Sequence, residues 1–551
     1  MLKKIFLVFL AVLMLAGTLA ACGTPETPSN TLTPPTPANP TNPGDPPPPV
    51  FTPGEEILTV SVATWNMNTD FLTQDDPVYD MIKERFGIEF EPWPLTWDGY
   101  KDLVKTWVAT GDPPDLFTLP MASDSGSEPT QTYLSWVADG LMHPMPEDMS
   151  PYPNLAWRYE RPEAQMLMVD GKYWSVPRFR ERNGNSWATN HGWWYRKDWA
   201  QNLGFSSISN YDELLAFLRA VRDGDPTGTG ATGIIPIVQS SRRHVFTTNM
   251  LWRVFEKRPY GSWQYEDGVL YRAHEAPNSF EAAVAIRELF NEGLIDPDIL
   301  IDPLSGVDKF VANQAAVICS AMFGGNNIWE SFLLNNPDKT LEGSIGWIPF
   351  LPNVNDGIAY AFDWPTNFWG ETFIPSHVDN EKYWRIIAFL DFTSSDEWLN
   401  MYFHGIEGVD WQQDASGNIT YLTPDGERPN VLEKYPVMAG ISELTLLFEG
   451  RRFNKYRTNY PYMAELSDSF HDTAALLTPE PTTPLTFMVN TPLDEVFVDE
   501  TEALIGLFMY GGSTGDPKAE WDEMMATLRN AGLDDVIAAK VEAVRALGRI
   551  P

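Results

Sequence analysis

Aromatic side chains are the residues of this sequence whose number and placement most clearly suit a chemical task. The 551 residues include 21 Trp, 20 Tyr and 30 Phe. A flat apolar ring can stack on the C–H face of a sugar, while nearby polar groups bind its hydroxyls. Each ring could instead pack in a core, but as a group they predict that at least two or three line a ligand cleft. Those in loops at predicted strand ends are Trp65, Trp174, Trp187, Trp193, Trp329, Trp364 and Trp369.

Charged side chains near these rings provide possible hydrogen-bonding partners for hydroxyl groups. Arg178, Arg180, Glu181 and Arg182 form one short run, and Asp124 follows a predicted strand. Guanidinium groups donate and carboxylates accept, so both suit a polyhydroxylated ligand. The same run could equally be a solvated loop.

Signatures of catalysis are weak. Residues 511–515 match G-x-S-x-G, but in that fold a histidine follows the serine, and the last histidine here is His471. The seven histidines show no H-E-x-x-H pair, and no G-x-x-x-x-G-K-[ST] loop occurs. A surface glycoside hydrolase with paired carboxylates stays open, because sequence does not reveal the distance between two carboxylates. We predict a protein that is not an enzyme and has no cofactor.

Residues 228–233 match the dinucleotide-binding pattern G-x-G-x-x-G. That pattern has to follow a strand and open a helix. Here it follows a predicted helix at 211–221 and precedes a strand-like segment at 234–238. The sequence therefore predicts a turn in this place.

Strands and helices alternate in the first part of the chain. This order implies a parallel sheet with right-handed crossovers, in which ligands bind beyond the carboxyl ends of the strands. Trp65, Asn66 and residues 120–124 would lie at that edge. The predicted strands are 57–65, 88–93 and 115–119, and the predicted helices are 78–86 and 99–110, which end at Gly87 and Gly111.

The later part of the chain continues the α/β pattern. Asn210 is a plausible cap of the helix at 211–221. Cys319 lies in a predicted buried strand and is expected to be a small core residue. The other predicted elements are a helix at 280–290, strands at 315–321 and 346–351, a long helical region at 381–403 and a mostly helical end at 516–550.

Net charge and cysteine content exclude several classes of function. The formal net charge is -37, whereas nucleic-acid binding needs cationic surface. We expect no nucleic-acid partner, and the acidic surface favours solubility. The two cysteines, Cys22 and Cys319, cannot form a disulfide framework or a thiolate zinc site.

The N-terminus has the pattern of a secretory signal. Residues 5–16 form an apolar run shorter than the roughly 20 residues that span a membrane, so 1–21 are predicted to be a signal peptide. Residues 19–22 (LAAC) resemble the lipobox of bacterial lipoproteins, which implies a lipidated Cys22. Ordinary cleavage near Ala21 is the alternative. Residues 22–53 are rich in proline and threonine and predict an extended tether.

Several short motifs, in their order and spacing, resemble the extracellular solute-binding lipoproteins of bacterial ABC importers, of the family 1, carbohydrate-binding type. They cover nearly the whole chain after residue 54, although none is decisive alone. The resembling stretches are 111–117 (GDPPDLF), 138–141 (ADGL), 170–172 (DGK), 176–177 (VP), 194–198 (WYRKD), 203–204 (LG) and 405–411 (GIEGVDW).

The resemblance implies a two-lobed α/β fold of the periplasmic-binding-protein type II, with a hinge and a ligand cleft between the lobes. Crossings between lobes are expected within 169–204, at 362–369 and after 405–411. The first lobe would comprise 54–192 with 365–410, and the second 193–364 with 411–551. In this family the place of residues 225–233 often carries a calcium-like acidic loop, but only Asp225 remains of its acids, which favours a plain turn and no metal.

The implied function is capture of a solute, by aromatic content an oligosaccharide, and its delivery to a membrane permease. A peptide or other solute fits the same motifs. The protein is expected to be a monomer held by lipid on the extracellular face of the cell membrane. The expected ligand contacts are Trp65, Asn66, Asp124, Arg178, Trp187, Trp193, Phe323, Asn326, Trp329, Asp363, Trp364 and Trp369.

Overall fold

The computed structural model describes most of the chain after residue 50. The described residues are 51–52, 55–96, 99–121, 127–179, 182, 191–239, 245–321, 326–360, 368–447, 449, 452, 456, 460–474, 476–477, 489, 491 and 494–551. Of 127–128, 191, 245–246, 273, 303, 321, 326–327 and 494–500, only the backbone is described. All described residues belong to one unit, Pro40–Pro551.

The strands are β1 (Leu58–Ala63), β2 (Ile88–Pro92), β3 (Leu116–Leu119), β4 (Val176–Phe179), β5 (His191–Arg196), β6 (Ile235–Gln239), β7 (Trp263–Glu266), β8 (Val269–Arg272), β9 (Ala315–Ala321), β10 (Ile345–Ile348), β11 (Phe368–Phe373), β12 (Trp411–Gln413) and β13 (Ile419–Tyr421).

The α-helices are α1 (Pro77–Phe86), α2 (Tyr100–Thr110), α3 (Ser127–Ala138), α4 (Pro153–Tyr159), α5 (Pro162–Gln165), α6 (Lys197–Asn202), α7 (Tyr211–Asp223), α8 (Val245–Trp252), α9 (Ser279–Asn291), α10 (Gly306–Val311), α11 (Asn326–Asn335), α12 (Leu341–Ser344), α13 (Asn380–Phe392), α14 (Asp396–His404), α15 (Val431–Lys434), α16 (Val437–Ile441), α17 (Pro461–Ala474), α18 (Asp494–Tyr510), α19 (Pro517–Ala531) and α20 (Leu533–Ala546). Short 3-10 helices occupy Thr69–Leu72, Ala273–Glu275, Pro303–Ser305 and Ser442–Leu444.

The first sheet has the strand order β2-β1-β3-β11-β4. β1 pairs in parallel with β2 and β3, so the predicted β-α-β-α-β arrangement is confirmed. β11 runs antiparallel to both β3 and β4, which makes the sheet mixed. The carboxyl ends of β1, β3 and β4 therefore meet the amino end of β11 at one edge.

The second sheet has the order β10-β5-β9-β6. β6 and β9 are parallel, and β5 is antiparallel to both β9 and β10. Successive side chains of β5 alternate between its two faces: Trp193 packs in one core cluster and Trp194 in another. Both faces are covered, which explains why the strands read as continuous apolar runs.

Local capping sets several helix limits that the sequence predicts. Asp76 accepts hydrogen bonds from the backbone of Val78 and Tyr79 at the start of α1, and Gly87 ends that helix with φ of 62°. Asn210 caps α7 as expected, accepting from the backbone nitrogen of Glu213 at 3.0 Å.

The long helical region predicted at 381–403 is two helices, α13 and α14. The break falls at Ser394 and Ser395. The hydroxyl of Ser395 accepts a hydrogen bond from the backbone of Trp398 and so caps α14. A serine hydroxyl competes for backbone groups in this way, which favours a new helix start over continuation.

The chain passes repeatedly between the two sheets. It leaves the first after Phe179 and enters the second at His191, then goes back between Ile348 and Phe368. Residues 431–446 still pack in the core of the first sheet, and α17 to α19 pack in the cores of the second. Tyr456 also packs against the core of the first sheet, whereas Tyr460 packs in a core of the second. The last passage therefore lies between Tyr456 and Tyr460, later than the predicted crossing after residue 411.

Among the described residues, no helix has both the length and the apolar character needed to cross a membrane.

Candidate ligand-binding site

Three aromatic rings meet at the edge of the first sheet where β1 ends. The Trp65 and Trp369 ring centroids are 5.0 Å apart with planes tilted by 31°, and Trp65 meets Tyr100 edge-on, also at 5.0 Å. Trp65 is fully buried, whereas Trp369 and Tyr100 are half-buried. The strand order brings the two predicted contacts, Trp65 and Trp369, together. The buried Trp65 ring packs against the two more accessible rings.

Asn66 lies at the same edge, is exposed and has φ of 56°. Asparagine tolerates this left-handed conformation better than most residues. Its Nδ2 donates a 2.7 Å hydrogen bond to Oε1 of Glu443 in the 3-10 helix Ser442–Leu444. This bond orients the amide, which lies exposed at the edge of the sheet.

Arg178, a predicted ligand contact, lies fully buried in β4 behind these rings. Its Nε donates to the backbone oxygen of Glu443 at 2.6 Å and its Nη2 to Oε2 of Glu443 at 2.8 Å. Nη1 donates to the backbone oxygen of Trp369 at 3.1 Å. Burial lowers the pKa of Arg178 to about 10, although the nearby Glu443 and Glu371 carboxylates oppose this change. Its guanidinium nitrogens thus donate to other groups of the protein rather than to a ligand.

Gly370 allows this close approach. Its φ is 77°, and an added Cβ would lie 2.7 Å from Nη1 of Arg178. A residue other than glycine would be strained there and would collide with the guanidinium group.

Glu371 fixes the neighbouring loop. This side chain is fully buried, and its Oε2 accepts a 2.8 Å hydrogen bond from the backbone nitrogen of Met121, which follows β3. The chain directly after β3 is thereby anchored to β11.

Two predicted tryptophans of the second part of the chain, Trp193 and Trp329, lie in its cores. Trp193 is 1% exposed and packs with the cluster around β6 and β9, opposite Cys319. Trp329 is 2% exposed and meets Trp194 edge-on at 5.0 Å. The indole of Trp174 in the first part is half-buried and donates to the backbone oxygen of Val169. A ligand role for these three rings is not evident from the contacts that they make.

Other predicted contacts lie outside the described residues. These are Asp124, Trp187, Phe323, Asp363 and Trp364, as are Arg180, Glu181 and the lipidation site Cys22. The backbone of Asn326 begins α11, but its side chain is not described.

Sequence reasoning missed Tyr100, Glu371 and Glu443. Tyr100 follows a helix-starting glycine, and the two glutamates are single acids in unremarkable stretches. Glu443 is separated from Arg178 by 265 positions, so no local pattern could have paired them. The position of Tyr100 at the start of a helix that follows a predicted strand could have suggested the sheet edge.

The G-x-S-x-G match at 511–515 is a turn after α18. A nucleophile elbow follows a strand, whereas this motif follows a helix. The hydroxyl of Ser513 donates to Oε1 of Glu520 at 2.7 Å. Glu520 is also paired with Arg287 at 2.6 Å, which lowers the pKa of its carboxyl and makes it a weak base. The arrangement holds the turn and does not support acyl transfer.

Two α/β lobes, with an aromatic edge beside the passages between their sheets, define the class of two-lobed solute-binding proteins. No family model matches the chain. It is 26% identical over 517 residues to the fructooligosaccharide ABC transporter substrate-binding protein FusA of Streptococcus pneumoniae serotype 4, covering 85% of this chain and 87% of that protein. It is also 22% identical over 327 residues to the lipoprotein LipO of Bacillus subtilis, covering 57% of this chain and 62% of LipO.

Solved structures agree in fold. The alginate-binding protein AlgQ2 without calcium ion has a TM-score of 0.63 at 17% identity, over 89% of this chain and 98% of that one. FusA in complex with kestose has a TM-score of 0.59 at 19% identity, over 89% and 99% of the two chains. The predicted two-lobed fold and the resemblance to ABC importer solute-binding proteins are confirmed.

Calcium does not fit the loop at 225–233. Both carboxylate oxygens of Asp225 already accept hydrogen bonds, Oδ1 from the Thr227 hydroxyl at 2.8 Å and Oδ2 from the Gly230 backbone at 2.7 Å. The Thr227 hydroxyl also lies 2.7 Å from that of Thr229. Calcium takes six to eight oxygens, mostly from carboxylates. Within the described part of the chain, no group of three or more His, Cys, Asp or Glu side chains could hold a metal ion.

We therefore expect millimolar calcium to leave the melting temperature unchanged, to within about 1 °C, relative to excess EDTA. A cation that binds only the folded state would raise it. Differential scanning fluorimetry at fixed ionic strength measures this, with magnesium as the control for general salt effects. A calcium-specific rise of several degrees that Asp225→Ala abolishes would show that the loop does bind the cation.

Proposed function

We propose that this protein is the oligosaccharide-binding lipoprotein of an ABC importer. The edge formed by Trp65, Tyr100, Trp369 and Asn66 is the observation that carries the proposal. It combines ring surface for the C–H faces of a sugar with an oriented amide for its hydroxyls. Fructooligosaccharide binding by FusA and alginate binding by AlgQ2 support a carbohydrate over a peptide, and binding over hydrolysis.

The ligand would be held between the lobes and enclosed by hinge closure. Closure is favoured by contacts that only the closed form makes to both lobes. We place the first lobe at 54–179 with 368–456 and the second at 191–360 with 460–551, because residues 431–446 and Tyr456 pack beneath the first sheet. The predicted contacts Asp124, Trp187, Phe323, Asp363 and Trp364 remain candidates for completing the site.

The cellular setting follows from the N-terminus and the relatives. Lipid on Cys22 would hold the protein at the outer face of the membrane. The tether at 22–53 would let the lobes reach a permease, to which the loaded, closed form is delivered. LipO, a relative of 22% identity, is itself named a lipoprotein, which supports this location. The protein would act as a monomer without a cofactor.

The test is a thermal-shift screen of the mature chain carrying Cys22→Ser, with kestose, alginate oligosaccharides and short peptides as probes. A ligand at about 100 times its Kd stabilises the folded state by roughly 2.7 kcal/mol. Chromatography of each mixture afterwards detects breakdown products. A shift with an intact sugar is the expected result. Cleavage of the sugar would indicate a hydrolase, and a shift with peptides alone would refute the carbohydrate assignment.

Removing the accessible ring of the edge should weaken sugar binding. For Trp369→Ala we expect an affinity loss of at least about ten-fold, which equals roughly 1.4 kcal/mol. Isothermal titration with the sugar that gives the shift measures the effect. Trp384→Ala is the matched control, since Trp384 is a half-buried tryptophan of the same lobe that stacks on Tyr152. Equal losses in both variants would contradict the proposed site.

A further inference from the structure

Two of the three passages between the sheets have their ends on the first lobe, here called roots, side by side. β4 leads into the first passage after Phe179, and the second passage arrives at β11, where Phe368 pairs with Phe179. The third begins after Tyr456, and the 3-10 helix Ser442–Leu444 opens the segment that leads to it. Any element that joins the two roots to this segment would limit how the passages move relative to one another.

Arg178 joins the first two roots to the 3-10 helix Ser442–Leu444. It belongs to β4, one residue before that strand ends. Its guanidinium group donates to the backbone oxygen of Trp369 in β11 at 3.1 Å. It also donates to the backbone oxygen of Glu443 at 2.6 Å and to its carboxylate at 2.8 Å. These bonds connect the first root to the second root and to the 3-10 helix.

The surroundings leave this guanidinium group little freedom. It is fully buried, and its centre lies 5.0 Å from the Trp65 ring and 5.3 Å from the Trp369 ring. A further bond between β11 and the 3-10 helix runs from the hydroxyl of Thr372 to the backbone oxygen of Leu444 at 2.6 Å. Charge-assisted bonds in a buried, planar fork are strong and directional.

We propose that Arg178 is a positioning residue that holds the roots of the first two interlobe passages and the 3-10 helix Ser442–Leu444 in one arrangement and thereby limits the hinge angles that the ligand-free protein adopts. Arg178 then acts on the ligand through the hinge and through Asn66, which the same Glu443 carboxylate holds. The inference rests on the proposed hinge motion, but its test needs no ligand.

The experiment measures the distance between the lobes in the mature chain carrying Cys22→Ser. Asp112→Cys and Glu281→Cys place spin labels on exposed positions, one in each proposed lobe, while Cys319 is 1% exposed and so protected from labelling. Double electron–electron resonance then gives the distribution of interlobe distances. In Arg178→Lys, which cannot form the bidentate fork, we expect this distribution to widen at least two-fold without ligand.

Arg158→Lys is the matched control. Arg158 is also fully buried beside β4, but it donates to the backbone oxygen of Pro177 and to the Ser394 hydroxyl, within the first lobe. Melting curves of both variants record any general loss of stability. If Arg178→Lys does not fold, Glu443→Gln weakens the same junction and is expected to widen the distribution too.

The outcomes separate the inference from the proposed function. Widening in the Arg178 or Glu443 variant but not in Arg158→Lys supports the positioning role. Equal distributions in all variants, or equal widening in Arg158→Lys, overturn it. Failure of kestose and every other sugar to narrow the wild-type distribution would count against oligosaccharide binding, and would leave the ligand-free comparison intact.

Discussion

Glu443→Leu is expected to destabilise the protein by about 3–5 kcal/mol, because it leaves the buried guanidinium group of Arg178 without its charged partner. The side chain of Arg178 has no solvent access and that of Glu443 only 10%, so water cannot replace the lost carboxylate. Asn66 would lose its bond to the same carboxylate. Chemical denaturation monitored by tryptophan fluorescence gives the change in unfolding free energy.

Two further variants separate the ion pair from the packing. Glu443→Gln keeps the shape and the acceptor oxygen, so a smaller loss is expected. Arg178→Met with Glu443→Leu removes both charges, and replacing a buried ion pair with apolar residues is often close to neutral. The double variant should therefore be more stable than Glu443→Leu alone. Additive losses in this cycle would contradict the pairing.

Acid should destabilise the protein well above the titration range of ordinary carboxylates, and His274 is expected to be a main cause. This side chain is 2% exposed, and both ring nitrogens lack a hydrogen-bond partner in the described part of the chain. Burial lowers the pKa of His274 to about 3, and the positive charges of Arg272 and Arg529 add to that. The folded protein holds this imidazole in its neutral form.

The sign follows from the two pKa values. The unfolded chain takes up the proton near pH 6.5, and the folded protein only near pH 3, so the unfolded state binds more protons between these values. The contribution of His274 to stability is thus complete above pH 6.5. It is lost as the pH falls from 6.5 towards 3, by up to about 1.4 kcal/mol per pH unit for one proton. Buried His404, with a pKa lowered to about 4 mainly by burial, adds to the loss.

Unfolding free energies of the wild type and of His274→Leu at pH 4 to 6.5 measure this contribution. In the variant the unfolding free energy should depend less steeply on pH, with a slope lower by up to about 1.4 kcal/mol per pH unit, the value for one proton. Leu270→Ala is the control, because Leu270 is 3% exposed and does not titrate, so its loss should be equal at every pH. An unchanged slope in His274→Leu would refute the assignment.

Local sequence patterns predicted one half of the candidate site. Trp65 and Asn66 follow a strand with alternating apolar residues, and parallel strands present their carboxyl ends at one edge, so both residues could be placed there without coordinates. The predicted helix limits, Asn210 before one helix and Gly87 and Gly111 after two others, act through neighbouring backbone groups. Such short-range effects depend on only a few adjacent residues, as Gly87 and Asn210 show.

The predictions for Trp193 and Trp329 show what local sequence patterns do not determine. A tryptophan at a strand or helix end can face a cleft or a core, because its neighbours in sequence do not state which elements cover it. Only the packing of both faces of the second sheet placed these two rings inside. The antiparallel β11, likewise, joins the first sheet from about 250 positions downstream of β3.

The sequence alone determined the classes of element, their α/β order, many of their limits and the aromatic, acidic character of the protein, since these depend on local propensity, periodicity and composition. Tertiary structure alone decided which side chains meet. The junction of Arg178, Trp369 and Glu443 joins residues separated by 191 and 265 positions. Contacts at that separation arise from long-range packing of strands and helices, whose free energy is shared among many residues and leaves no local signature.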